Sequence, residues 1–233
     1  MAAETRADRF YNALIKGDRR ESRRLLREAL DSTRDPRELV HSLFWPTYER
    51  IERLYRSDQL SKLAHHAGTR FLRVLIDQTA AAYSLPPGNG RRVLAFCGPR
   101  DSDELGAQLA VDLLEAEGFE ITFAGGGIPN DEILAQIHEV RPNVLLLFAA
   151  GSTDLPHLRQ LIDTLHDIGA CPDIQVVVGG GVFNRAEGLS EEIGADLFAP
   201  NPLQLVEAMS ASASVRGNLE NRTVGRRRVK KAA

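Results

Sequence analysis

Four glycine-rich turns in the second half of the sequence are the places where this chain could bind a ligand. They occupy residues 98–106, 125–129, 150–154 and 179–183, and each follows a short apolar run. Glycine lets a ligand approach the backbone closely, and the helices that follow such turns offer free N–H groups at their N-termini. Taken singly, each turn also fits ordinary turn chemistry, so the glycines alone do not name a ligand.

The first of these turns carries a cluster of acids. Asp101, Asp103 and Glu104 lie within four residues, with Ser102 between the first two. Carboxylates so grouped could hold a divalent cation. Acids at the start of a helix are also ordinary partners of the helix dipole. The sequence favours the dipole interpretation, because nothing else in it points to a cation.

The turns must be positioned by alternating strands and helices. Apolar runs predict strands at 93–97, 120–124, 144–149, 175–178 and 196–199. Amphipathic stretches predict helices at 102–117, 131–140, 154–168, 185–193 and 202–209. Strict alternation of five such units predicts a parallel sheet covered on both faces. The size fits a five-stranded, doubly wound, flavodoxin-like α/β domain over residues 91–210, which binds ligands at the carboxyl ends of its strands.

Residues 1–85 have helical periodicity instead. We predict helices at 8–16 and 19–32, and a third from Asp35 that Pro46 breaks or kinks before a continuation at Thr47. A last helix, 59–83, is predicted to begin at a Ser57-Asp58 cap. Short loops between these helices predict a four-helix-type bundle. Proline and glycine make residues 86–90 a linker.

Charge is divided unevenly along the chain. The net charge of −3 combines a balance of −9 over residues 1–211 with +6 over residues 212–233. The acidic body is not expected to bind nucleic acid over a broad face. The basic tail, residues 211–233, is predicted to be disordered and could contact an anionic partner. Removing residues 212–233 is therefore expected to leave the fold and ligand binding intact.

Composition excludes several classes of protein. The chain of 233 residues is 43% hydrophobic and contains two cysteines, too few for a disulfide framework or a cysteine metal site. No apolar run approaches 18 residues, so no membrane contact is expected. The N-terminus lacks the apolar core of a secretory signal. These features predict a cytoplasmic protein.

Several motifs occur in order across the α/β region. They are Asp101-x-x-x-x-Gly106, Leu113-Leu-Glu-Ala-Glu-Gly-Phe-Glu-Ile121, Ile128-Pro129, Ser152-Thr-Asp-Leu-Pro156, Val178-Gly-Gly-Gly181 and Ile193-Gly-Ala-Asp196. In this order the stretch from residue 98 to 209 resembles the cobalamin-binding domain of methionine synthases, corrinoid methyl-carrier proteins and cobalamin-dependent light-sensing repressors. The resemblance implies that the bundle caps the upper face of a corrin.

Two departures from that family concern the lower side of the corrin. The family motif Asp-x-His-x-x-Gly supplies a histidine that ligates cobalt from below, and the residue at that position here is Asp103. A carboxylate suits harder ions than an imidazole does. Where the family usually has a small serine beside the slot for the nucleotide tail, this chain has Phe148. Gly179, Gly180 and Gly181 are expected to keep their side of the slot open, so tail burial is expected to be impaired but not excluded.

A weaker resemblance lies in the bundle. The light-sensing repressors and their relatives carry a tryptophan, nine residues, and then Glu-His; here Tyr55 is followed by nine residues and then His65-His66. The resemblance makes His66 a candidate cobalt ligand on the upper face, and Tyr55 could stack on a planar ligand. The competing interpretation is that His65 and His66 are ordinary histidines on a helix and that Tyr55 is a partly buried aromatic residue.

We therefore expect a non-enzymatic sensory or regulatory protein that binds cobalamin or a related tetrapyrrole between cap and α/β domain. Ligand binding would then change self-association or contact with a regulatory partner. One alternative is a corrinoid methyl carrier for a methyltransferase, and the loss of the histidine argues against it. Another is a cobalamin-free protein–protein interaction module with a filled cleft, which Phe148 and Asp103 favour. The candidate cofactor-binding residues are Tyr55, His65, His66, Asp101, Asp103, Gly106, Phe148, Ser152, Gly179, Gly180 and Gly181.

Overall fold

The computed structural model describes residues 5–169 and 171–217, apart from the side chains of Asp101 and Ser102. The chain divides into two compact units between Pro86 and Pro87. The first unit is helical and the second contains all the strands of the described chain. Within these residues, none of the helices combines the length and the apolar character that crossing a membrane would require.

The first unit is built from four α-helices. They are α1 (Arg6–Ile15), α2 (Arg19–Asp31), α3 (Trp45–Arg56) and α4 (Lys62–Ala80). Side chains cap three of the helix N-termini: Thr5, Asp18 and Ser61 each accept a hydrogen bond from a backbone N–H in the first turn. The largest fully buried side chains in this unit are Phe10, Leu14, Leu25, Leu43, Phe44, Ile51, Leu72, Leu75 and Ile76.

Two details of the bundle differ from the sequence prediction. The third helix predicted from Asp35 is instead a π-helical turn, Val40–Phe44, that leads directly into α3, and Pro46 lies in the first turn of α3, where proline is favoured. The last helix does not begin at 59 with a Ser57-Asp58 cap. Asp58 lies in the turn after α3 and has a φ of 56°. Ser61 is the N-cap instead, and its side chain accepts a hydrogen bond from the N–H of Ala64 at 3.2 Å.

The second unit alternates strands and helices. Its strands are β1 (Arg92–Cys97), β2 (Glu120–Gly126), β3 (Val144–Phe148), β4 (Gln175–Gly179) and β5 (Leu197–Ala199). Its helices are α5 (Asp101–Glu115), α6 (Asn130–Val140), α7 (Leu155–Ile168), α8 (Gly181–Arg185), α9 (Leu189–Glu192) and α10 (Pro202–Ala211). The single helix predicted over 185–193 is instead two short helices, separated by Gly188 with a φ of 76°.

The sheet is parallel throughout, in the order β2-β1-β3-β4-β5. This is the doubly wound, flavodoxin-like order, and the predicted fold class is confirmed. All residues of β3 and β4 are buried, because helices cover both faces of the sheet. The chain order reverses at β1 and β3, so the turns that follow these two strands meet at the switch point, where such folds bind ligands.

The beginning of the basic tail is ordered, contrary to the prediction of disorder from residue 211. The side-chain amide of Gln175, which is 0% exposed, donates to the carbonyls of Ser212 and Val215 at 2.8 and 3.0 Å. The N–H of Gly217 donates to Asp196 Oδ1 at 2.6 Å. These contacts lie at the amino ends of the strands, opposite the ligand edge. The predicted disorder of residues 218–233 falls outside the described residues.

Candidate functional site

Asp103 lies in the first turn of α5, and its carboxylate points into the protein. The side chain is 0% exposed. Nε and Nη2 of Arg100 donate to its two oxygens at 3.0 and 3.2 Å. The carboxylate packs against Gly98, where a Cβ atom would collide with Oδ2. Both carboxylate oxygens of Asp103 are therefore engaged with Arg100.

The same guanidinium joins two turns at the carboxyl edge of the sheet. Nη2 of Arg100 lies 3.4 Å from Oδ2 of Asp154, in the turn after β3. It also covers Gly151, where a Cβ atom would be 2.7 Å from Nη2. Asp154 in turn accepts from the N–H of Gly151 at 3.3 Å. An Asp103–Arg100–Asp154 cluster thus closes the switch point between β1 and β3.

Electrostatics at the cluster follow from burial. Desolvation raises the pKa of the Asp103 carboxyl, while the charge and hydrogen bonds of Arg100 oppose that rise. Among the described residues, no group of three or more His, Cys, Asp or Glu side chains could hold a metal ion. The side chain of Asp101 lies outside the described structure. The described part of the acidic turn therefore gives no cation site.

The glycines after β4 do not leave open space, contrary to the sequence expectation. At Gly179 a Cβ atom would lie 3.0 Å from Cε1 and 3.1 Å from Cδ1 of Phe148, so the phenyl ring fills that side. Gly180 has a φ of 104°, and a side chain there would collide with the carbonyl of Ala149. Over Gly181 lies the guanidinium of Arg185.

Arg185 closes the edge at β4 much as Arg100 closes it at β1. Its Nη2 donates to the carbonyl of Ala150 at 2.6 Å, and a Cβ atom at Gly181 would be 2.8 Å from its Nη1. Ser152, in the same turn as Ala150, is exposed, and Gly106 lies within α5 and is partly buried. Arg100, Asp154 and Arg185 were not among the residues predicted from the sequence. Each of them lies within a few residues of a glycine in one of the turns, and that proximity could have identified them from the sequence.

In the helical unit the structure brings Tyr55 and His65 together. Their rings stack with centroids 3.9 Å apart and an interplanar angle of 22°. His66 approaches the ring of His65 edge-on, with 5.7 Å between centroids. His66 remains partly exposed, whereas His65 is buried. One face of the tyrosine ring is therefore already covered by a protein side chain.

Glu52 completes this group and was not singled out from the sequence. Its Oε1 lies 2.6 Å from Nε2 of His65, and both side chains are buried. Arg56 Nη1 lies 3.8 Å from the other Glu52 oxygen. Nδ1 of His65 is buried without a hydrogen-bond partner among the described residues. An acid on the buried face of an amphipathic helix is the signal that could have identified Glu52.

The carboxyl edge does not fit a cofactor held by lower histidine ligation. Asp103 is buried, and each of its two oxygens already accepts a hydrogen bond from Arg100, so its carboxylate is committed to a contact within the chain. The ring of Phe148 lies against Gly179, so the chain's own side chain occupies the space beside this glycine.

Comparison with known proteins identifies both units. A B12-binding-domain family model matches residues 91–205, and a second B12-binding-domain model matches residues 6–78. Dimethylamine corrinoid protein 1 of Methanosarcina acetivorans is 28% identical over 106 residues, covering 46% of this chain and 49% of the relative. The chain thus spans about half the length of that curated relative.

Solved structures agree on the fold. The monomethylamine corrinoid protein of Methanosarcina barkeri has a TM-score of 0.69 at 16% identity and covers 87% of this chain and 96% of its own. The methanol:cobalamin methyltransferase complex MtaBC of the same organism has a TM-score of 0.50 at 17% identity, covering 93% of this chain and 82% of that one. With a helical unit and an α/β unit that each match a B12-binding-domain model in the expected order, this chain belongs to the cobalamin-binding domain family.

Proposed function

We propose that this protein binds a corrinoid and acts as a corrinoid carrier for a methyltransferase partner, without a cobalt ligand from position 103. The observation that carries the proposal is the match of both units, in order, to B12-binding-domain models. The curated relatives, named dimethylamine and trimethylamine corrinoid proteins, point the same way. This favours the carrier function over the sensory function, for which the comparisons give no support.

The α/β unit contributes the lower surface on which the corrinoid would rest. Arg100 and Arg185 are two cationic groups at this edge, and both are fixed by hydrogen bonds to the turn after β3. They would position the ligand by contact with its amide-bearing periphery, since a guanidinium offers several donors in a fixed plane. Asp103 acts by holding Arg100 in place.

A spectral titration tests the proposal. The purified protein is mixed with hydroxocobalamin and, separately, with aquocobinamide, and bound corrinoid is measured by absorbance after gel filtration. We expect retention of at least one corrinoid. Retention of neither would overturn the proposal.

A pair of charge reversals locates the site. Arg100→Glu should weaken corrinoid retention, because it removes the guanidinium donors that would contact the amide-bearing periphery. Arg216→Glu is the matched control: Arg216 donates to the carbonyl of Asp173 ahead of β4, at the opposite edge. Circular dichroism checks that both variants fold. Equal retention by both variants would remove the carboxyl edge from the proposal.

A second candidate function is a corrinoid-free protein–protein interaction module. The observation that favours it is that side chains of the chain itself fill the carboxyl edge, with Arg100 on Asp103 and Phe148 on Gly179. The same titration separates the two candidates, because this module would retain neither corrinoid and show no thermal shift with either.

Other expectations from the sequence remain predictions. They are upper-face ligation by His66, binding of another tetrapyrrole, self-association, a regulatory partner, an anionic partner for the basic tail, the absence of enzymatic activity and a cytoplasmic location. The His66 expectation has a direct test: His66→Ala should change the absorbance spectrum of a bound corrinoid, and an unchanged spectrum would remove His66 as ligand.

A further inference from the structure

We propose that this chain selects corrinoids that lack a nucleotide tail, of the cobinamide class, over complete cobalamins. The inference rests on the proposed corrinoid binding and adds the class of ligand. It follows from how the protein's own side chains close the carboxyl edge of the sheet at three neighbouring strands, β1, β3 and β4.

The closure is deepest at the end of β3. Phe148 is 7% exposed and belongs to the apolar core between the sheet, α5 and α10. Its ring lies over Gly179, its partner residue on β4. Buried neighbours in this core include Ala107, Val177, Ala199, Leu205 and Met209. Protein cores are close-packed, so an aromatic base could enter here only by displacing the phenyl ring.

Polar side chains close the two flanking positions. At β1, the Asp103 carboxylate packs on Gly98 and is held by Arg100, which also covers Gly151. At β4, Arg185 covers Gly181 and donates to the carbonyl of Ala150. A group inserted beside Phe148 would also have to break these hydrogen bonds. At Gly98, Gly151, Gly179 and Gly181 the space that a Cβ atom would take is thus occupied by side chains of the chain itself.

The chemistry of corrinoids separates the ring from the tail. A cobalamin carries a nucleotide that ends in a bulky benzimidazole base, and a cobinamide has the same corrin ring without the nucleotide. The corrin ring can lie on the outer surface of the carboxyl edge without entering it. There it would contact Arg100 and Arg185, which both hydrogen-bond to the turn after β3. The base can enter the edge, stay between the ring and the protein, or be displaced into solvent, where it loses its bond to cobalt. Each of these placements carries a cost that a cobinamide does not have.

Binding of the two ligands to the full chain measures this selectivity. We expect aquocobinamide to bind at least about tenfold more tightly than hydroxocobalamin, a difference of about 1.4 kcal/mol, in absorbance titrations checked by equilibrium dialysis. Phe148→Ala should shift the ratio toward hydroxocobalamin by about tenfold or more, because it opens the space beside Gly179. Phe96→Ala is the matched control, since Phe96 is equally buried near the end of β1 but packs on the other face of the sheet.

The outcomes separate this inference from the proposed function. Equal affinity of the wild-type protein for both ligands, or tighter binding of hydroxocobalamin, overturns the selectivity and leaves corrinoid binding standing. Retention of neither ligand overturns both. An equal shift of the ratio in Phe96→Ala and Phe148→Ala would also overturn the role of Phe148. Should Phe148→Ala fail to fold by circular dichroism, Phe148→Leu takes its place, and the wild-type ratio still decides the selectivity.

Discussion

Phe148 and Gly179 are partners across β3 and β4, and the ring of the first occupies the space that the second lacks a side chain to fill. An aromatic ring laid over a cross-strand glycine restores the packing that glycine forfeits in a strand. The pair therefore contributes to stability as well as closing the candidate ligand edge.

Gly179→Ala should destabilise the protein by about 1–3 kcal/mol, because the added methyl group would lie 3.0 Å from the Phe148 ring in a tightly packed core. Urea unfolding measures the change. Gly88→Ala serves as control, since Gly88 is exposed and its nearest neighbour is the end of the Glu120 side chain. Equal stability of the two variants would show that the ring moves freely.

Asp103→Asn should change how stability depends on pH. Burial raises the pKa of this carboxyl in the folded protein above its ordinary 3.8. The stability that the raised pKa contributes is therefore fully present below pH 3.8, where the carboxyl is neutral in the folded and the unfolded state. This stability is lost as the pH rises through the raised pKa of the folded protein. Relative to Asp103→Asn, the wild-type protein should lose free energy of unfolding over that range. Unfolding at a series of pH values tests this, and the opposite slope would contradict it.

Glu52→Ala should lower the free energy of unfolding by about 1–3 kcal/mol, because it leaves the buried Nε2 of His65 without its hydrogen-bond partner. Urea unfolding followed by helical circular dichroism reports on it. Glu49→Ala, on the exposed face of the same helix, should change stability by no more than about 0.5 kcal/mol. A similar loss in both variants would mean that the buried pair contributes nothing specific.

The effect of truncating the C-terminal tail on stability should depend on the residue at which the chain ends. A chain ending at Gly217 retains the hydrogen bonds of Gln175 to Ser212 and Val215 and should be as stable as the full chain. A chain ending at Ala211 loses them and should be less stable by about 1–2 kcal/mol. Thermal unfolding distinguishes the two, and equal melting temperatures would contradict the anchoring role of Gln175.

The alternation of apolar runs and amphipathic helices was sufficient to predict the α/β unit. Parallel strands buried on both faces need continuous apolar residues, as in β3 and β4, so the pattern and the environment carry the same information. The ends of the helices were harder to predict from the sequence. Ser57-Asp58 has the composition of a cap, but the backbone turns at Asp58 and Ser61 caps α4 instead. Several capping residues stood nearby, and only the path of the chain selects among them.

By itself the sequence determined the order of elements, the division near residue 86 and the absence of a histidine at position 103. These depend on local periodicity, composition and residue identity. Only the tertiary structure decided how the turns are filled. Arg100 reaches Asp154 over a sequence separation of 54 residues, and Phe148 reaches Gly179 because β3 and β4 pair in one particular register. Contacts of this kind are set by which strands lie side by side, and a pattern read along one strand contains no information about its neighbour's register.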